Sequence, residues 1–401
     1  MTEISDMIAS VSPILIKVIK ALSSSYKIPE PLPWSAIALP LAAAEDALAR
    51  LDERLAKSPI RDGWISRTHF TDACATLWLE GELVHLEDLV LHDAGMDVRA
   101  PTHELSRARD VLRARRRIHR EGPDWALSSV GITDLRGLAG TNGIEEEDCE
   151  PPNIGTTHHE AEQDSHVPRT HDYSSVTQSN DGLAQAFAEI DAAIAKTDQI
   201  LTSDLRRMTE RDPLVYDPDW DEEKRLAVWR RGLQQSRSLP PTLAAAIAAD
   251  SWRSLEPLQH RPWLGQLLTS ALLGHRRKAR SHLACLHEGL KTIPRERRRS
   301  RDLATRLVAE LEAITAAGEI GLKTHDRWLN ERTLMLRRVA GHRSTSKLPA
   351  LIDYVFSRPV VSAGMIAEEL DITPRAALSL VNELGLRETT GRGRYRAWGV
   401  L

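Results

Sequence analysis

Cysteine is scarce in this 401-residue chain. The three present, Cys74, Cys149 and Cys285, are scattered and form no CxxC pair. That excludes a disulfide framework and thiolate zinc sites, and it suits a reducing cytoplasm. No apolar run is long enough to span a bilayer, and the first residues lack a basic leader: acids precede Met7, and Pro13 and Lys17 interrupt the apolar residues after it. No membrane association is expected. Net charge is only -4, so the whole molecule is not a nonspecific nucleic-acid sponge, and any DNA binding must come from local basic patches. There is also no P-loop, no GxGxxG opening a helix after a strand, no HExxH and no GxSxG. These absences leave no catalytic residue, cofactor or metal to assign.

Alanine, leucine, arginine and glutamate dominate instead, which favours helices. The expected fold is mainly α: a helical bundle, an acidic disordered linker and a C-terminal winged helix-turn-helix. Changes in composition divide the chain into an N-terminal helical domain (1–127), a flexible linker (128–181), a central helical domain (182–341) and the terminal module (342–401). The linker holds Glu145-Glu146-Glu147-Asp148 and four histidines, His158, His159, His166 and His171, among polar residues. It is too polar to bury a core, and nothing there would hold those histidines as metal ligands.

The terminal module carries the clearest signals. Ser362 can cap one short helix in which Ile366, Ala367 and Leu370 share a face. After a turn at Asp371, Thr373 and Pro374 can start a second, with Ala377, Leu380, Val381 and Leu384 apolar and Gly385 as its stop. Two short helices joined by a tight turn form the helix-turn-helix pattern. The remaining face of the second helix presents Arg375, Ser379 and Asn382, which can reach base edges in a major groove. Two short extended runs flank Gly391-Arg392-Gly393-Arg394, a hairpin whose Arg392, Arg394 and Arg396 suit phosphates. Double-stranded DNA is the expected partner, bound by a homodimer, because one helix-turn-helix reads only a half-site. Two basic runs, Arg276-Arg277-Lys278 and Arg297-Arg298-Arg299, are candidates for auxiliary phosphate contacts.

Near residue 80 the chain resembles Fic proteins. Thr76-Leu77-Trp78-Leu79-Glu80-Gly81 matches their [S/T]xxxE[G/N] inhibitory-helix motif, and the surrounding residues look like the Fic N-terminal domain. The resemblance implies that Glu80 obstructs ATP by pairing with an arginine of the catalytic loop. That loop, HxFx[D/E]GNGRxxR, does not occur: His260 and Gly265 are its only candidate remnants, and there is no GNGR. The order of parts and the ending are also similar to those of Fic proteins, and the central and terminal segments resemble an uncharacterised, often plasmid-encoded bacterial family with a terminal helix-turn-helix. Together these imply a transcriptional regulator on a Fic-like scaffold without its chemistry. The alternatives are a nucleotidyl transferase or nucleotide-binding remnant using His260 and restrained by Glu80, and a protein-interaction scaffold.

Overall fold

The computed structural model describes residues 26–28, 30–95, 101–137, 217, 220–341, 346–389 and 396–400, and over these the protein is mainly helical. Helix α1 (Trp34–Ala56) buries Ile37, Ala44, Leu48, Leu51 and Leu55 along one stripe, the spacing of an amphipathic helix. α2 (Arg61–Glu80) is buried on more than one side, and its buried set includes Arg67, His69 and Asp72. The sequence pattern places this helix at Thr68 to His85. It ends earlier because Gly81 adopts a left-handed φ of 93°, which lets Glu82 N–H donate to the Leu77 carbonyl at 2.9 Å.

Next come α3 (Leu86–Asp93), α4 (His103–Glu121), α5 (Pro123–Leu127) and α6 (Ser129–Gly137). The stretch read as a linker from residue 128 therefore opens with a helix. There the Ser128 hydroxyl accepts from Gly131 N–H, and Ile132 and Leu135 are buried. The acidic cluster and the four histidines lie outside the described residues.

The second half contains α7 (Glu222–Gln235), α8 (Pro241–Leu255), α9 (Leu264–His275), α10 (Leu286–Lys291), α11 (Arg295–Arg298) and the 37-residue α12 (Leu303–Val339). The sequence suggests a separate last helix from Lys323. One continuous helix forms instead, capped by Asp302, because no proline interrupts it and its glycines serve close packing. A Cβ on Gly318 would lie 3.0 Å from Ala47, and one on Gly321 would lie 2.7 Å from Leu51 Cδ2, where α1 runs against α12.

The two halves share cores. One joins Phe70, Leu77 and Leu112 to Trp229, Trp252 and Leu268. Another joins Ile37 and Leu48 to Leu243, Leu307 and Leu311. The helices before residue 143 and those from 222 onward fall in one compact unit. The stripe of α1 is completed by α12, far along the chain, so apolar burial crosses the boundaries that composition draws. No helix among the described residues is long and apolar enough to cross a membrane.

Candidate nucleic-acid interface

The terminal segment folds as α13 (Leu348–Ser357), β1 (Val361–Ser362), α14 (Ala363–Leu370), α15 (Pro374–Leu384) and β2 (Ala397–Trp398). Each start is fixed locally. The Ser362 hydroxyl accepts from Met365 N–H and the Thr373 hydroxyl from Ala376 N–H, both at 3.2 Å, with Pro374 at the first position of α15. Between the helices Asp371 takes a left-handed φ of 49° and Ile372 N–H donates to Ala367 O at 2.9 Å, closing the turn. Gly385, φ 67°, ends α15. Ile352, Val355, Ile366, Leu370, Val381 and Leu384 share one core with Trp398.

β1 and β2 pair antiparallel, Val361 opposite Trp398 and Ser362 opposite Ala397. On the other side of β2, Thr389 N–H donates to Ala397 O at 2.8 Å and Gly399 N–H to Arg387 O at 3.3 Å. Arg392 and Arg394, expected from the sequence at a hairpin tip, lie outside the described residues.

On α15, Ala377, Val381 and Leu384 face the core, while Arg375, Ser379 and Asn382 are exposed. The exposed three stand at i, i+4 and i+7, one above another on a single face. Arg396 is also exposed, but its Nε and Nη2 donate to Glu388 Oε2 at 2.9 and 2.8 Å, and its guanidinium lies 5.2 Å from the Trp398 ring.

Residues 348–401 match the family model described as an HTH DNA binding domain, and residues 214–340 match that described as a protein of unknown function, DUF1612. Over 380 residues the chain is 47% identical to uncharacterized protein y4cF of Sinorhizobium fredii (strain NBRC 101917 / NGR234), an overlap spanning 92% of this chain and 97% of that protein. The chain belongs to this DUF1612–HTH family. Within it, the DUF1612 match covers α7 to α12, whose cores are completed by α1 to α6.

The DUF1612–HTH protein fastens its terminal module with a residue that sequence reasoning missed. Arg67 of α2 is buried and donates from Nη2 to the carbonyls of Val355 at 2.7 Å and Arg358 at 2.8 Å, and from Nη1 to Val400. It supplies partners for carbonyls at the end of α13, which a helix terminus leaves unsatisfied. Its guanidinium lies 4.9 Å from the Trp328 ring, and burial brings its pKa down to about 10. An arginine in the middle of a helix carries no local sign of this role.

Three of the six basic-run residues point to internal partners. Arg276 donates to the carbonyls of Arg237 and Leu239, Lys278 pairs with Glu45, and Arg297 grips Glu312 at 2.6 and 3.0 Å. Arg277 is exposed in a left-handed turn, φ 60°. Arg298 and Arg299 line a cavity together with Thr76, Glu80 and Gly81. There Glu80 accepts from Arg107 of α4, which also binds Glu82. Burial raises the Glu80 carboxyl above its usual range, against the pull of Arg107. His260 is exposed and is not on that cavity wall. Among the described residues no cluster of His, Cys, Asp and Glu could hold a metal.

Proposed function

We propose that this DUF1612–HTH protein is a sequence-specific transcriptional regulator. α15 enters the major groove, Arg375 and Asn382 offer hydrogen bonds to base edges, and Ser379 contributes to the same face. The hairpin is a wing whose Arg392 and Arg394 meet the phosphate backbone. Arg396 contributes less, because Glu388 already accepts from it. Two copies bind a palindrome as a homodimer, with half-sites about one helical turn apart. One observation carries the reading: α15 is apolar where it meets its core and presents Arg375, Ser379 and Asn382 to solvent on the opposite side.

The body is a Fic-like scaffold without Fic chemistry. Two observations support the loss: the partner of Glu80 is Arg107 on a neighbouring helix rather than a loop arginine, and His260 stands apart from the Glu80 cavity. Selection of bound duplexes from a random pool by the full-length protein tests the regulator. An enriched, inverted-repeat site is expected, and a pool retained without any sequence preference ends the proposal.

A further inference from the structure

The cavity beside Glu80 measures about 990 Å³, within the range of small-molecule sites and far larger than a single ion needs. Its wall carries six cations, Arg107, Arg253, Lys291, Arg295, Arg298 and Arg299, against two acids, Glu80 and Glu256. Arg107 is neutralised by Glu80 and Glu82, and Arg253 by Glu310. Lys291, Arg295, Arg298 and Arg299 make no ion pair among the described residues.

Arg298 is the most telling of the four. Its Nε is buried with no hydrogen-bond partner. Burial lowers its pKa, and the neighbouring charges of Arg253 and Arg299 lower it further. Three further polar atoms of wall residues are buried without partners: Nε2 of His287, whose Nδ1 faces Asp72, Oε1 of Gln266 and Oε1 of Glu80. Buried polar groups are normally satisfied, and the Arg298 Nε–H is a donor that an oxygen of an anion in the cavity would answer. Trp78, 45% exposed, and Trp263 add aromatic surface to the wall.

We propose that this cavity binds a small polyanion bearing two or more phosphate groups, held by Arg295, Arg298 and Arg299. None of these three residues belongs to the motif through which the Fic resemblance is drawn. The cations line a concavity backed by buried polar atoms, a shape for a compact ligand rather than for the convex backbone of a duplex. The proposal stands independently of Arg375 and the regulator reading.

The test is titration of the full-length protein with inorganic pyrophosphate, read by calorimetry and by tryptophan fluorescence. Saturable binding is expected, weakened tenfold or more by Arg298→Gln and by Arg299→Gln and unchanged by Arg375→Ala. Because Arg299 is exposed, its variant keeps the test informative should Arg298→Gln unfold. A nucleoside triphosphate that binds more tightly than pyrophosphate shows that the ligand has an organic body on the tryptophan side. Equal affinity shows that the phosphates alone suffice. A response that does not saturate overturns the proposal, as do unchanged binding in both arginine variants and citrate competing as well as pyrophosphate. Displacement of pyrophosphate from Arg375→Ala by duplex DNA also overturns it, since the arginines then belong to a DNA surface.

Discussion

The body and the terminal module use arginine in opposite ways. In the body, Arg115 and Asp72 are both fully buried and paired, and Arg67 is sunk against three backbone carbonyls. On α15, Arg375 stands in solvent on a helix whose other face is sealed. A buried guanidinium fixes the positions of the groups that accept from it, even though the Nε of Arg67 and of Arg115 is left without a partner. An exposed one fixes nothing within the chain and remains free for a partner. Inward arginines thus specify the architecture, and outward ones carry the capacity to bind.

Breaking the inward set should cost most. Asp72 accepts from Arg115, from His287 Nδ1 at 2.9 Å and from Glu288 N–H at 3.1 Å. Burial works to raise its carboxyl, but Arg115 and His287 prevail and hold it below the usual range. Asp72→Asn leaves Arg115 buried without its countercharge and should cost about 3–5 kcal/mol in urea unfolding. Equal midpoints for variant and wild type would show that the pair fixes nothing. Arg67→Ala should cost about 3 kcal/mol through three orphaned carbonyls, and it should expose α13 amides to hydrogen exchange before the rest of the protein.

A third effect depends on pH. His282 is buried with neither ring nitrogen hydrogen-bonded, and desolvation takes it from the ordinary 6.5 down to about 4. The unfolded chain therefore binds this proton first, so stability is complete above pH 6.5 and falls as pH drops toward 4. The loss from this residue is about 3 kcal/mol. Thermal unfolding across that window should show the slope in wild type and a shallower one in His282→Gln.

Changes to the outward set should leave unfolding nearly untouched and alter binding. Arg375→Ala should relax preference at one base pair by about 1–3 kcal/mol; electrophoretic titration against single-base variants of the selected site measures it. The smallest effect belongs to Arg396→Ala. Its exposed pair with Glu388 is worth under about 1 kcal/mol, and the salt dependence of DNA binding should flatten less than in Arg394→Ala. If Arg375→Ala lowered stability as much as Arg67→Ala, the contrast between the two regions would collapse.

Local chemistry made the terminal module legible. Ser362, Thr373, Pro374 and Gly385 act on backbone groups within three residues of themselves, and the apolar spacing of α14 and α15 needs no knowledge of what lies opposite. The same reasoning found the motif Thr76-Glu80-Gly81, though not the cavity that the motif borders. It overran α2, whose stop at Gly81 is a local one, and it divided α12 and missed α6 inside an apparent linker, where burial against distant residues decides. Gly318 reads as a helix weakness until Ala47 is placed beside it.

Periodicity and short-range hydrogen bonding were enough to specify a helical chain, two capped helices in a tight-turn array and a polar row at positions 375, 379 and 382. Which arginines face inward was settled by the folded arrangement alone. Arg67, Arg115 and Arg297 look no different from Arg375 and Arg299 in one dimension, and their roles were set by which carbonyls, carboxylates and apolar surfaces the fold brought to them. Burial and charge pairing are properties of neighbours in space, and for these residues most of those neighbours lie far away along the chain.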